Sequence, residues 1–169
     1  MHLLIPHPAT PSELVASLTV QFAMGRISYH LRGDLDRLRI PEPATPARRD
    51  ELWRHTCFEL FAAGEGEAYA EFNFSPSGEW AAYAFDRYRD GMRPLDTTTP
   101  AIRTAHEGDK LTIEVELVLP PGTTALGLNA VVEDEHGNPS YWSLVHPPGK
   151  PDFHHRDCFA LKLPPASAA

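Results

Sequence analysis

The chain has 169 residues, of which 42% are hydrophobic and 22% charged, with 17 prolines and a formal net charge of −8. This length and balance predict a single globular domain over residues 1–169, with its core between about residues 12 and 163. The negative charge argues against a nucleic-acid partner, because phosphate binding needs a basic face. The only two cysteines, Cys57 and Cys158, lie far apart in the sequence. They predict reduced thiols and no disulfide framework.

The first residues, MHLLIPHPATPSELV, lack the basic start and the long apolar stretch of a secretory signal. No apolar run reaches the ~18–20 residues that a membrane span needs. We therefore expect a cytoplasmic protein that has no membrane partner.

Short alternating apolar segments, separated by glycine and proline turns, recur at roughly ten-residue spacing along the chain. Prolines favour short strands joined by turns, because they lack an amide donor. We predict an irregular lead-in over residues 1–13, a helical turn over residues 50–55, and strands over residues 15–22, 27–31, 35–40, 56–63, 69–75, 79–86, 102–106, 111–119, 125–133, 140–144 and 158–163. The pattern predicts an all-β fold, a two-sheet antiparallel β-sandwich of jelly-roll or immunoglobulin-like kind, with about ten strands and at most short helices.

Residues 51–92 contain two strand pairs that are dense in aromatic side chains. If residues 64–67 form the hairpin loop, three same-face pairs follow: Phe61–Tyr69, Glu59–Glu71 and Cys57–Asn73. The next turn, residues 75–78, places Tyr83 beside Glu71 and Phe85 beside Tyr69 on the same face. The opposite face is apolar and belongs to the core, with Phe58, Leu60, Phe72, Phe74, Trp80 and Ala82.

Two glutamates directly opposite each other repel by roughly 0.2–1 kcal/mol on an exposed face. If the face is covered, either one glutamate takes up a proton or a cation lies between them, with Arg89, Lys150, a metal ion or an external ligand as alternatives. The neighbouring aromatic residues favour a shallow ligand pocket, since their faces stack on sugar rings. Two solvated glutamates on an open face, or a glycosidase-like carboxylate pair about 5 Å apart, are the other interpretations.

A second polar cluster lies in the proline-rich segment of residues 141–159, which carries His146, Lys150, Asp152, His154 and Asp157. Loops of this kind often carry function because they lie on a rigid scaffold. His154, Asp157 and His146 could ligate a metal such as zinc, although neither an HExxH motif nor paired cysteines occur. The alternative is that these side chains cap backbone groups and hold the loop in place. A Ser/His/Asp hydrolase is disfavoured because no GxSxG-like motif occurs.

Three blocks, LWRHTCFELF, EFNFSPSGEWAAYAFDRYRDGM and HPPGKPDFHHRDCF, resemble bacterial stand-alone proteins of the DOMON-like superfamily. That group is related to the family-nine carbohydrate-binding modules of xylanases, and the resemblance extends over about residues 12–163. It implies a two-sheet sandwich that binds sugar or haem on one face, with calcium holding loops in the sugar-binding relatives. Those modules hold sugar between paired aromatic rings, for which Trp53 and Trp142 are the candidates here. No axial Met/His pair for haem can be placed, so we assign no cofactor, and calcium or haem enters by analogy only.

Together these features predict a non-enzymatic protein that binds a small molecule, most readily a saccharide. The expected ligand contacts are Trp53, Glu59, Tyr69, Glu71, Asn73, Tyr83 and Arg89. A loop site would use His146, Lys150, Asp152, His154 and Asp157. A protein-interaction module, or a metal-dependent enzyme that uses residues 146–157, is the alternative, and no oligomeric state is predicted.

Overall fold

The computed structural model of the chain describes residues 1–164. These residues form twelve β-strands and three single-turn 3-10 helices, with no α-helix among them. The strands are β1 (His2–Pro6), β2 (Val15–Ala23), β3 (Arg26–Gly33), β4 (Cys57–Ala63), β5 (Tyr69–Phe74), β6 (Trp80–Phe85), β7 (Arg93–Pro94), β8 (Ala101–Glu107), β9 (Lys110–Glu116), β10 (Ala125–Glu133), β11 (Pro139–Ser143) and β12 (Leu161–Lys162). The 3-10 helices are Leu35–Arg37, Leu52–Arg54 and Arg156–Cys158.

The strands are hydrogen-bonded in the order β7-β6-β5-β4-β10-β11-β1-β2-β3-β9-β8, and β12 also pairs with β10. All of these strand pairings are antiparallel. β1 joins the two halves of this curled sheet, because residues 2–4 pair with β2 and residues 5–6 pair with β11. The predicted all-β antiparallel fold is confirmed, whereas the division into two sheets stays a prediction. Within residues 1–164, none of the helices has the length and apolar character to cross a membrane.

The main core packs side chains of β2, β3 and β9 against those of β4, β5 and β10. Tyr29 of β3 reaches across it: its ring centroid lies 5.0 Å from that of Phe58, and its hydroxyl donates to the backbone carbonyl of Glu59 at 2.6 Å. The predicted core face of the central hairpins is buried as expected, with Phe58, Leu60, Phe72, Phe74, Trp80 and Ala82 all at most 5% exposed.

Three predicted segments differ from the structure. Residues 2–6 form β1 instead of an irregular lead-in, because β2 and β11 supply hydrogen-bond partners that a short, proline-bounded segment does not reveal. The predicted strand at residues 35–40 is a 3-10 turn. The predicted strand at residues 158–163 begins as a 3-10 turn and contains only β12, since Cys158 and Phe159 are buried in another cluster. The helical turn predicted at residues 50–55 is confirmed.

The register of the β4–β5 hairpin is shifted by two residues from the predicted pairing. Glu59 lies opposite Asn73, and Glu71 lies opposite Phe61. The predicted Phe61–Tyr69, Glu59–Glu71 and Cys57–Asn73 pairs are therefore wrong. The strands continue further toward the loop, where Ala63 pairs with Tyr69. Because side chains alternate with a period of two, this even shift leaves each residue on its predicted face. The predicted pairs of Tyr83 with Glu71 and of Phe85 with Tyr69 are confirmed.

Candidate functional site

The face of β4, β5, β6 and β10 that points away from the core, here called the second face, is also buried. Glu59 is 2% exposed and Glu71 is 5% exposed. Part of the cover is the segment around the 3-10 helix Leu52–Arg54. The rest comes from residues 151–159, whose Phe153, Cys158 and Phe159 pack against Phe61, Tyr69 and Phe85. The interpretation of two solvated glutamates on an open face is therefore wrong.

A cleft of about 350 Å³ lies between the second face and its cover. This volume is at the lower end of the roughly 300–1,000 Å³ of small-molecule pockets. Six predicted site residues line the cleft: Trp53, Glu59, Glu71, Arg89, Asp152 and His154. Six further lining residues were not predicted as contacts: Phe85, Met92, Val131, Tyr141, Pro151 and Phe153. The sheet site and the loop site of the sequence analysis are thus parts of one cleft.

Glu59 and Glu71 lie on neighbouring strands, offset by two ladder positions. Burial, followed by repulsion from Glu71, raises the pKa of Glu59 well above its usual value. Burial also raises the pKa of Glu71 to about 7, although the nearby amide of Asn73 and the charge of Arg89 act in the opposite direction. Lys150, one of the predicted counter-charges, is exposed and does not line the cleft. Of the predicted alternatives, a proton on the glutamates agrees best with this burial.

Glu59 belongs to a row of buried polar side chains that crosses the sheet. Asn73 of β5 lies opposite it on one side and Asn129 of β10 on the other, followed by Ser143 of β11. The Ser143 hydroxyl donates to Oδ1 of Asn129 at 2.7 Å. Among the described residues, Nδ2 of Asn129 and both amide atoms of Asn73 have no hydrogen-bond partner. A buried polar group without a partner is unfavourable by about 1–3 kcal/mol. The sequence signal for Asn129 is an amide within the apolar run ALGLNAVVE.

His154 presents a hydrogen-bond donor to the cleft. The Tyr69 oxygen accepts from the backbone N–H of Arg89 at 3.1 Å, so its own hydrogen can donate to Nδ1 of His154 at 2.8 Å. In the tautomer that accepts this hydrogen bond at Nδ1, the imidazole proton is on Nε2, which lies 3.7 Å from Oε2 of Glu71. Burial, together with the charge of Arg89, lowers the pKa of His154 to about 4. His154 is therefore neutral at pH 7.

A charged clamp closes one side of the cleft. Nη2 of Arg89 lies 2.8 Å from Oδ1 of Asp152, and the Tyr88 hydroxyl donates to the other carboxylate oxygen. Burial opposes ionisation of Asp152, but these hydrogen bonds outweigh it and lower its pKa. Arg89 has φ of 51°, in the left-handed region that non-glycine residues rarely occupy. The clamp thus ties the chain after β6 to the C-terminal loop.

The remaining predicted contacts lie behind the cleft lining. Tyr69 stacks on Phe85, with ring centroids 4.8 Å apart, and orients His154. Tyr83 donates to the Asp50 carboxylate, and its ring meets the edge of Trp53 at 6.2 Å. Asn73 flanks Glu59. These three side chains support the lining residues and are not themselves in the wall of the cleft.

Three residues of the predicted loop site lie elsewhere. His146 donates from Nε2 to the backbone carbonyl of Ile5 at 2.8 Å. Lys150 and Asp157 are exposed, and Asp157 lies beside His155. Over residues 1–164, no three His, Cys, Asp or Glu side chains gather in a metal-binding arrangement.

Comparison of the chain with protein-family models, curated proteins and solved structures finds no match. Membership of the DOMON-like superfamily therefore stays a prediction from three sequence blocks. Function is inferred from the cleft.

Proposed function

We propose that this protein binds a small molecule, most readily a saccharide, in the cleft between the second face and the C-terminal loop, and that it does so without catalysis. The observation that carries the proposal is the convergence of two polar clusters, far apart in sequence, on one cleft of ligand size. Glu59 and Glu71 come from the sheet, and Asp152 and His154 come from the loop.

The composition of the cleft suits a ligand that has both apolar and hydroxylated surfaces. Trp53, Phe85, Tyr141 and Phe153 contribute aromatic surface to its wall. Aromatic faces stack on the C–H surfaces of a sugar ring, which provides affinity without a charge. The carboxyl groups and the Nε2–H of His154 supply donors and acceptors for hydroxyl groups. Such a mixture of apolar wall and few polar groups is typical of small-molecule sites.

The two glutamates argue for binding over glycoside hydrolysis. A catalytic acid and its partner carboxylate need environments that push their pKa values apart. Here burial raises the pKa of both Glu59 and Glu71. Their offset by two ladder positions also separates them beyond the roughly 5 Å of a directly opposed, retaining pair. We expect a bound saccharide to be recovered unchanged.

We also propose that the curled sheet corresponds to a two-sheet β-sandwich of the DOMON-like kind. The packing of β3 onto β4 through Tyr29, with β1 as the strand shared by both halves, supports this description. The proposal places the ligand on the second face, away from the core, as the resemblance implies.

The test is a titration of the protein with monosaccharides and disaccharides, in which binding is measured by calorimetry and by tryptophan fluorescence. We expect Trp53→Ala and Glu71→Gln each to weaken saccharide binding at least about tenfold. The first removes an aromatic ring from the wall of the cleft, and the second removes a carboxyl group from its base. Glu65→Gln, in the exposed loop of the β4–β5 hairpin, is the matched control and should bind as the wild type does. Absence of binding to any saccharide, or wild-type affinity in both cleft variants, would contradict the proposal.

A further inference from the structure

We propose that the cleft prefers ligands that carry a protonated primary amine, so that an amino sugar binds more tightly than the corresponding neutral sugar. This inference rests on the proposed function for the location of the site. It specifies that the ligand is positively charged, whereas the proposed function does not specify the charge of the saccharide.

Across the described part of the chain, the two carboxyl groups at the base of the cleft form no ion pair with a Lys or Arg side chain. Within residues 1–164, the only close contact of either carboxyl group with a basic side chain is His154, at 3.7 Å from Glu71. Burial, followed by the charge of Arg89, lowers the pKa of His154 to about 4, so at pH 7 it supplies no positive charge. Arg89 is the one Lys or Arg side chain that lines the cleft, and its guanidinium is engaged by Asp152 at 2.8 Å. A proton or a cationic group on the ligand can therefore pair with these carboxyl groups.

The surroundings of Glu59 provide a second, independent observation. Glu59 is almost wholly buried yet lines the cleft, and no described residue makes a side-chain hydrogen bond or ion pair to it. The fully buried amides of Asn73 and Asn129 flank it in register and retain three atoms without partners. Oδ1 of Asn73 is one of these atoms and can only accept. An ammonium group carries three donors and no acceptor, which complements two carboxylates and an amide oxygen.

The walls and the whole molecule favour the same kind of ligand. Aromatic rings attract a cation that lies over their faces within about 6 Å, and Trp53 is the strongest such ring. Phe85, Tyr141 and Phe153 add aromatic surface to the cleft. The net charge of −8 raises the local concentration of small cations around the protein.

Binding of an ammonium group should displace protons from the carboxyl groups to solvent. The groups that face Glu71 are Glu59 and Cys57 on β4, Tyr83 on β6, Tyr69 on its own strand, Arg89 after β6, and Asp152 and His154 in the cover. The pKa of Glu71 is about 7, whereas that of His154 is about 4 and those of both tyrosines are raised. Affinity for an alkylammonium ion, which stays protonated because its pKa resembles that of lysine near 10.4, should therefore rise between pH 6 and pH 8.

The experiment compares two matched pairs by calorimetry on the full chain: D-glucosamine with D-glucose, and cyclohexylamine with cyclohexanol. We expect the amine of each pair to bind about tenfold more tightly or better, since a hydrogen bond to a charged group is worth at least that factor. Titrations of cyclohexylamine in buffers of different ionisation enthalpy should show proton release. Glu59→Gln and Glu71→Gln should abolish the preference, and Glu65→Gln should retain it.

The outcomes separate the two proposals. Equal affinity for D-glucosamine and D-glucose would overturn the amine preference and leave saccharide binding standing. Binding of cyclohexylamine without binding of either sugar would support the amine preference and overturn the saccharide. Failure of all four compounds to bind would overturn both.

Discussion

Glu59 and Glu71 are acidic residues at buried strand positions, which are apolar in most β-sheet proteins. Both lie on strands whose every residue is buried. Desolvation favours their neutral form, and His154, which lies 3.7 Å from Glu71, is itself kept neutral by burial and by the charge of Arg89. The cleft therefore holds several groups whose charge depends on each other, and its ionisation should be visible in the stability of the protein.

We expect the free energy of unfolding to fall as pH rises from 6.5 to 8. In the unfolded chain glutamates titrate near pH 4.3, whereas the folded pKa is about 7 for Glu71 and well above the usual value for Glu59. The folded state then binds more protons than the unfolded state, so raising the pH removes stability: for Glu71 alone on the order of 3 kcal/mol between pH 4.3 and 8, of which about 1 kcal/mol is lost between pH 6.5 and 8. His154 acts in the opposite sense, but only below its unfolded pKa near 6.5.

Urea denaturation across this pH range measures the effect. The double variant Glu59→Gln/Glu71→Gln should flatten the curve, because amides do not titrate. The double variant Glu65→Gln/Glu67→Gln, which also replaces two carboxyl groups but at exposed positions, should keep the wild-type slope. A wild-type stability that is constant or rises between pH 6.5 and 8 would show that the glutamates are ionised in the folded protein.

The strands of the second face follow closely from their sequence, but their pairing does not. Alternation alone assigned Phe58 and Phe72 to the core and Glu59 and Glu71 to the opposite face, because side-chain direction has a strict period of two. The register depends on how many residues the hairpin loop takes, which Gly64 and Gly66 do not determine. The loop occupies residues 64–68, and this places Glu59 opposite Asn73.

The C-terminal part of the cover packs directly against the backbone of Gly127 in β10. A Cβ atom there would meet Cδ1 of Phe159 at 3.0 Å, the carbonyl oxygen of Cys158 at 3.1 Å and Cβ of Phe61 at 3.3 Å. We expect Gly127→Ala to displace the C-terminal loop and to destabilise the protein by about 1–3 kcal/mol. Because Cys158 is fully buried, its thiol should become reactive, which alkylation followed by peptide mass analysis measures.

The hairpin loop offers a matched control for this substitution. A Cβ atom at Gly66 would have no neighbour within 4 Å, so Gly66→Ala should leave Cys158 as protected as in the wild type. If the Cys158 thiol resists alkylation in Gly127→Ala as it does in the wild type, the position of the C-terminal loop does not depend on its contact with Gly127.

The cleft results from the strand order of the whole molecule, in which the chain returns to the middle of the sheet after β9. After β7 the chain crosses to the far end as β8 and β9, then comes back as β10 beside β4. This return places β11 and the segment after it next to the central hairpins. The sequence indicated both polar clusters separately. Their meeting could not be predicted, because it follows from strand order between segments some 80 residues apart. The lining residues Val131 and Phe153 are apolar and carry no functional signal of their own.

Chemical-shift mapping of the 15N-labelled protein during titration with D-glucosamine at pH 7 identifies the residues that contact the ligand. We expect saturable changes at the indole N–H of Trp53, at the ring nitrogens of His154 and at the backbone amides of residues 151–154. The exposed strand β8 serves as the internal reference and should not change. Absence of saturable shifts, or shifts centred on residues outside the cleft, would contradict the claim that this cleft is the binding site.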